Sequence, residues 1–99
     1  MAGHIFISHS IQDNELVGSL RTVLEELGFS AWTDWRELTA GDKLDTEIVD
    51  AVRDASHLLA VLTPLAFNSA WMRKEIALGV ELEREREDFK VVPLLISPM

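Results

Sequence analysis

The stretch LLAVLT, Leu58 to Thr63, is apolar at every position but the last, and it decides which kind of sheet this chain can form. A strand without alternating polarity is typical of a parallel sheet that helices cover on both faces. The β-branched and aromatic run HIFIS, His4 to Ser8, predicts another strand. FSAWTD, Phe29 to Asp34, alternates in polarity, and KVVPLLI, Lys90 to Ile96, contains Pro93, which cannot donate to a ladder. These two features predict edge or near-edge strands.

A helix is predicted between the first two strands. Apolar residues at helical spacing run from Leu16 to Leu27, and Gly28 is a suitable end for such a helix. The start of the helix has two candidates: a capping box that Ser10 forms with Asp13, or Asp13 alone as the cap.

Two further helices are predicted between the later strands. The apolar residues from Leu44 to Ala55 predict a short second helix, with Asp42 as its cap. The third helix begins near Ser69 and continues into ELEREREDF, whose mixed charges at helical spacing indicate a solvated face. Strands and helices therefore alternate as β-α-β-α-β-α-β, which predicts an α/β fold with a parallel sheet, helices on both faces and right-handed crossovers.

Composition limits the possible classes of function. The 99 residues fit one domain, residues 1–99, and they carry 17 acids against 9 bases, a net charge of −8. Nucleic-acid binding depends on basic patches, so we expect no nucleic-acid partner. The apolar runs fall far short of the roughly 20 residues that cross a bilayer, and no signal-peptide pattern opens the chain, so we expect no membrane partner and a cytoplasmic location. Without cysteine there is no disulfide, thiol nucleophile or thiolate metal site.

Three segments are expected at one rim of the sheet, because ligands of open α/β sheets bind outside the carboxyl ends of the strands. Ser8–Ser10 follows the first strand, Asp34–Trp35 the second, and Thr63–Trp71 the third. Trp35 lies in a polar loop, where an indole ring can stack on a planar ligand. His9 is explained equally well as loop filler or as a pocket wall.

Glu75 is the acidic residue that most needs an explanation. At about 100° per residue it lies roughly 40° from Trp71 on the helical wheel, inside the apolar arc, whereas Arg73 and Lys74 lie outside that arc. A carboxylate at such a position costs several kcal/mol of desolvation unless it is hydrogen-bonded or opens to a cleft. Two interpretations follow: a half-exposed acid favoured by the helix dipole, or a group that belongs to a ligand site.

The other histidines and tryptophans favour structural roles. His4 and His57 open strands at the opposite rim, and three histidines so dispersed predict no metal site. Trp32 and Trp71 are typical packing residues. Ser10 lacks the base and orienting group that would make it a nucleophile, so capping explains it better.

Four motifs, in this order, resemble the Toll/interleukin-1 receptor (TIR) domain family, particularly its bacterial forms. They are FISHSIQD, WTDWRELTAGD, LLAVLTPLAFNSAWMRKE and VVPLLI, and the match covers nearly the whole chain, from His4 to Ile96. The resemblance implies a flavodoxin-like three-layer sandwich with a central parallel sheet ordered 2-1-3-4-5. Because the sequence ends just after the fourth strand, we expect the order 2-1-3-4 without the fifth strand, a TIR domain that is short at its carboxyl end, and an uncovered sheet edge.

The resemblance also implies an activity. Many bacterial, plant and axonal TIR domains cleave NAD+ into nicotinamide and ADP-ribose or a cyclised product, and their signature places a tryptophan four residues before the catalytic glutamate. In this sequence those residues are Trp71 and Glu75. Nicotinamide leaves as a neutral group, so one carboxylate that stabilises the oxocarbenium-like sugar can suffice, with NAD+ as substrate and no cofactor or metal.

The family's substrate pocket also uses two loops. The loop after strand one contributes His9 and Ser10 by this resemblance, and the loop after strand two, the BB loop at residues 35–42, contributes Trp35 and Thr39. Enzymatic members often assemble through the BB loop, so other TIR domains are expected as partners beside NAD+.

Three functions compete for this sequence. The first is an NAD+ glycohydrolase or cyclase in an immune or cell-death signalling system, such as antiviral defence, and the presence of Glu75 favours it. The second is a non-catalytic TIR module that signals by homotypic association. The third, a phosphoreceiver, would need acidic residues at the ends of strands one and three, where this chain has Ser8-His9 and Thr63.

Overall fold

Four parallel strands form one sheet in the computed structural model, which describes residues 4–33, 46–64, 66 and 69–96, without the side chains of Ile11, Glu47 and Trp71. The strands are β1 (His4–Ser8), β2 (Ser30–Thr33), β3 (His57–Leu62) and β4 (Lys90–Leu95). Their order across the sheet is β2-β1-β3-β4, and every neighbouring pair is parallel. The predicted order is confirmed, and β2 and β4 are the edges, as the alternation in FSAWTD and the proline in β4 indicated.

Three helices in the described part of the chain cover both faces of the sheet. They are α1 (Asn14–Glu26), α2 (Thr46–Asp54) and α3 (Ala70–Glu85). Val17 of α1 packs with Ile7 on one face, whereas Phe6 points to the other face and packs with residues of α2 and α3, Ile48 and Met72 among them. The result is the flavodoxin-like three-layer arrangement expected from the resemblance.

The start of α1 differs from one of its two predictions. A short 3-10 turn, Ile11–Asp13, precedes the helix, and Asp13 occupies the cap position without a side-chain capping hydrogen bond. Its carboxylate instead accepts a 2.6 Å hydrogen bond from the hydroxyl of Thr63, after β3. The Ser10 hydroxyl accepts from the amide of Gln12 at 3.3 Å, within the turn. The predicted capping box is therefore wrong. The prediction of Asp13 alone as the cap is correct for its position, but its side chain does not bond to the helix.

The end of α1 lies where Gly28 predicts it. Gly28 has a φ of 95°, which costs an L side chain more than it costs glycine. The amide of Gly28 donates to the carbonyl of Glu25 and that of Phe29 to the carbonyl of Leu24, both at 3.0 Å, so these two carbonyls near the end of the helix are satisfied. Because Phe29 belongs to this closure, β2 begins at Ser30, one residue later than predicted.

The third helix starts as predicted. The hydroxyl of Ser69 accepts from the amide of Met72 at 3.1 Å and caps α3. The two later strands end one residue earlier than predicted, at Leu62 and Leu95. The predicted cap of the second helix, Asp42, lies outside the described residues.

Arg86 joins the end of α3 to the rest of the fold. Its guanidinium donates to both carboxylate oxygens of Asp88, at 2.9 and 3.3 Å, and to the carbonyl of Arg53 at the end of α2, at 2.6 Å. It also lies 5.4 Å from the centre of the Phe89 ring. The hydrogen bond from Arg86 lowers the pKa of Asp88, and the same bond raises the pKa of Arg86.

Candidate functional site

Glu75 lies on the face of α3 that packs against the sheet. It is 2% exposed, and the side chains before and after it on that face, Met72 and Leu82, are 1% and 6% exposed. Residues 72, 75, 79 and 82 follow the spacing of a core-facing helical stripe. The half-exposed interpretation of Glu75 is therefore wrong: a carboxylate occupies a position that an apolar side chain would normally fill.

Ser8 provides a hydrogen bond to this buried carboxylate. Its hydroxyl donates to Oε1 of Glu75 at 2.8 Å, and Ser8 itself is 0% exposed. Ser8 is the last residue of β1 and points to the same face as Phe6, because side chains alternate along a strand. Glu75 thus lies at the carboxyl end of β1, the rim where ligands of this class of sheet bind.

The two residues after Ser8 are also buried. His9 and Ser10 are each 5% exposed, and Nε2 of His9 lies 2.7 Å from Oδ1 of Asn14, at the start of α1. The hydroxyl of Ser10 is engaged within the following turn. The predicted β1 loop residues and Glu75 therefore lie at the same end of β1. The hydrogen bond between His9 and Asn14 joins this loop to the start of α1.

Three threonine and serine residues mark the carboxyl ends of the first three strands. Ser8 ends β1, Thr33 ends β2, and Thr63 follows β3, where its hydroxyl donates to Asp13. Thr33 is 8% exposed, and within the described residues its hydroxyl has no hydrogen-bond partner. Ser8 and Thr63 lie at the rim where they are expected, but the sequence predicts neither of their side-chain partners and no role for Thr33.

The remaining site predictions have different outcomes. Trp35 and Thr39, like the rest of the BB loop at residues 35–42, lie outside the described residues. Trp71 lies in the first turn of α3, and its side chain is among those not described. Trp32 stacks on Phe6 with the ring centres 5.0 Å apart, so its predicted packing role is confirmed.

The other predicted structural residues lie away from this rim. His4 and His57 begin β1 and β3 at the amino ends of the strands, where Nδ1 of His4 lies 3.3 Å from the Ser30 hydroxyl and Nδ1 of His57 lies 2.8 Å from the Ser56 hydroxyl. Among the residues with described side chains, no cluster of histidine and acidic residues could hold a metal ion. No helix in the described ranges combines the length and the apolar character needed to span a membrane.

The arrangement around Glu75 suits the stabilisation of positive charge. A carboxylate that is shielded from water interacts with a nearby cation far more strongly than an exposed one, because the surrounding dielectric is low. The donor from Ser8 reduces the cost of keeping this group charged inside the protein.

Comparisons with known proteins place the fold in a family. The sequence profile described as "TIR domain" matches residues 5–99. A 2' cyclic ADP-D-ribose synthase from Bacteroides thetaiotaomicron, BtTIR, is 31% identical over 88 residues, which is 88% of this chain and 30% of that protein. A stimulator of interferon genes protein from Magallana gigas is 24% identical over 95 residues, which is 95% of this chain and 23% of the relative. The chain therefore spans less than a third of the length of either relative.

A solved structure shares the same fold. The TIR domains of the activated Roq1 resistosome, which directly recognises the pathogen effector XopQ, superpose with a TM-score of 0.81 at 24% identity. The likeness covers 97% of this chain and 58% of that one.

Proposed function

The chain belongs to the TIR domain family, and from that premise we propose that it cleaves the nicotinamide–ribose bond of NAD+ with Glu75 as the catalytic carboxylate. The observation that carries the proposal is the burial of Glu75 at the carboxyl end of β1, where the Ser8 hydroxyl donates a hydrogen bond to it. The relative of 31% identity, a 2' cyclic ADP-D-ribose synthase, supports the same chemistry.

The proposed step is dissociative. The bond between the ribose C1′ and the pyridinium nitrogen breaks, its electron pair stays with nicotinamide, and nicotinamide leaves as a neutral molecule. The sugar becomes an oxocarbenium-like cation, which the Glu75 carboxylate stabilises while accepting hydrogen bonds from the ribose hydroxyls. Water or a hydroxyl group of the same ADP-ribose then attacks C1′ and releases its proton, giving ADP-ribose or a cyclic product.

Coulomb's law sets the scale of this effect. Two unit charges about 4 Å apart in an effective dielectric of about 20 attract each other by about 4 kcal/mol. If this attraction develops only in the transition state, it raises the rate roughly a thousandfold. The proposed step uses no metal or organic cofactor, because nicotinamide leaves as a neutral molecule and one carboxylate can stabilise the sugar cation.

The binding roles assigned to the other residues extend the proposal. His9, Ser10 and Trp71 would contact NAD+ from the β1 loop and the start of α3, and Trp35 and Thr39 would contact it from the BB loop. His9 and Ser10 support this assignment by their position directly after Ser8, which binds Glu75.

A second candidate function is homotypic association in immune or cell-death signalling. The resistosome whose TIR domains share this fold supports association with other TIR domains, proposed here through the BB loop at residues 35–42. The edge strand β4 adds apolar surface, since Val92 and Leu95 are 41% and 73% exposed. Association and catalysis are compatible, because a site can be completed by a neighbouring domain.

The experiment is nicotinamide release measured by chromatography after incubation of concentrated protein with NAD+. Wild type should release nicotinamide, and Glu75→Ala and Glu75→Gln should release it about a thousandfold more slowly while keeping a folded circular dichroism spectrum. A wild type that stays inactive even when crowded or assembled would argue for the association module alone. Variants as fast as an active wild type would remove Glu75 from the mechanism.

A further inference from the structure

Ser8 donates a hydrogen bond to Glu75, and its role follows from that contact. We propose that Ser8 is a positioning residue, whose hydroxyl holds the Glu75 carboxylate in the orientation that cleavage of NAD+ requires. This inference rests on the proposed function of Glu75. Its basis is the 2.8 Å hydrogen bond between two side chains that are 0% and 2% exposed.

Ser8 is suited to this role because its own position is rigid. β1 is a central strand: Ile7 pairs with Thr33 of β2, and Ser8 pairs with Ala60 of β3. The serine side chain has a single heavy-atom torsion, so little conformational freedom is lost when its hydroxyl holds one direction. The donor is therefore prearranged before any substrate arrives.

Glu75 gains from a hydrogen bond to another element because its side chain is long. Three torsions separate its carboxylate from the backbone of α3, and a carboxylate displaced by about 1 Å can cost roughly a hundredfold in rate. A hydrogen bond to a donor on a different element restricts these torsions.

The packing of α3 on the sheet brings the two side chains within reach of each other. Gly79, one turn after Glu75, lies so close to the sheet that a Cβ atom there would be 3.0 Å from Cδ1 of Leu58 and 3.3 Å from Cγ2 of Val91. The missing side chain allows the helix to approach β3 and β4 closely. Glu75 shares that helical face, so its carboxylate reaches the end of β1.

The competing explanation is that the hydrogen bond serves only the stability of the fold. A stability role would lower the urea midpoint without a specific effect on turnover. If Ser8 positions Glu75, removal of its hydroxyl lowers kcat and leaves KM nearly unchanged. The same removal has no further effect on kcat in a variant that already lacks the Glu75 carboxylate. The chain offers a matched control in Ser56, whose hydroxyl donates to the carbonyl of His4 at 3.2 Å at the opposite end of the sheet.

The test measures kcat and KM for NAD+, with folding followed by circular dichroism, in Ser8→Ala and Ser56→Ala. We expect kcat of Ser8→Ala to fall about 10- to 100-fold with KM within about twofold, and kcat of Ser56→Ala to stay within about twofold. In a Glu75→Gln background, Ser8→Ala should lower the residual rate less than about twofold, because both changes act on one group.

Each other outcome overturns a defined part of the proposal. An inactive wild type refutes the proposed function of Glu75 and the role of Ser8 with it. If wild type is active and Ser8→Ala has the same kcat, the positioning role of Ser8 is refuted, but the function of Glu75 is not. The same holds if Ser8→Ala lowers kcat by an equal factor in wild type and in the Glu75→Gln background. If Ser8→Ala does not fold, the near-isosteric Ser8→Cys, with its weaker donor, is tested by the same criteria. If neither variant folds, the hydrogen bond serves the stability of the fold and the positioning role is refuted.

Discussion

Loss of the Ser8 hydroxyl alone should destabilise the protein, whereas replacement of both Ser8 and Glu75 by apolar residues should not. In Ser8→Ala the carboxylate stays buried, 2% exposed, but loses the donor 2.8 Å away. Hydrogen bonds to charged groups contribute about 1.5–3 kcal/mol, so we expect the free energy of unfolding to fall by about 2 kcal/mol. For a domain of this size such a loss corresponds to a melting temperature about 8–16 °C lower.

Removing both polar partners should recover that loss. Methionine is unbranched, like glutamate, and Glu75 lies in an apolar stripe with Met72 and Leu82, so Ser8→Ala/Glu75→Met replaces the pair with core-like side chains. Replacing both partners of a buried hydrogen bond by apolar groups of similar shape can be nearly neutral or stabilising. We therefore expect the double variant to be at least as stable as wild type.

The assay is urea unfolding at pH 7, followed by far-UV circular dichroism, with Ser56→Ala as the control for loss of a serine hydroxyl. A Ser8→Ala variant whose free energy of unfolding lies within about 0.5 kcal/mol of wild type, the scale of an ordinary surface change, would refute the predicted loss. A double variant less stable than Ser8→Ala would refute it as well, because the carboxylate would then stabilise the core without its donor.

Two further predictions concern packing and pH. Gly79→Ala should lower the free energy of unfolding by about 1–3 kcal/mol, because its Cβ would lie 3.0 Å from Leu58 Cδ1, whereas Gly18→Ala, with nothing within 4 Å, should raise it by about 0.5–1 kcal/mol. Urea midpoints measure both changes, and an equal effect of the two would contradict the close approach of α3. The hydrogen bond from Arg86 lowers the pKa of Asp88, so it adds stability above the unfolded-state pKa of about 3.9, and that stability is lost as pH falls through the folded-state value. Asp88→Asn should thus have a lower midpoint than wild type at pH 7 and a smaller deficit near pH 3, and a deficit that does not change with pH would count against this pair.

The architecture was predictable because it depends on local patterns. The apolar run at Leu58–Thr63 and the proline in β4 report which strands are buried and which lie at an edge, and this information is contained in a few consecutive residues. The end of α1 is equally local, since Gly28 alone allows the positive φ that closes the helix. The predicted ends of helices and strands were less exact where a backbone group bonds to the neighbouring element. The amide of Phe29, for example, donates to the end of α1, so β2 begins one residue later than predicted.

The polar partners were not predictable, because they join distant parts of the chain. Asp13 was expected to cap its own helix, but it accepts a hydrogen bond from Thr63, 50 residues away. Ser8 and Glu75 are 67 residues apart, and a helical wheel can place Glu75 on the buried face without showing what it will meet there. The roles of Trp35, Thr39 and Trp71 came from the family resemblance, and they stay predictions.

The most direct measurement of the central claim is the ratio of NAD+ cleavage rates between Glu75→Gln and Glu81→Gln. Both variants neutralise one acid on α3 with a side chain of nearly equal shape, but Glu75 is 2% exposed beside Ser8 and Glu81 lies on the exposed face. With Glu75 as the catalytic carboxylate, Glu81→Gln should stay within about twofold of wild type and Glu75→Gln should be slower by about a thousandfold. Equal rates in two folded variants would contradict the account.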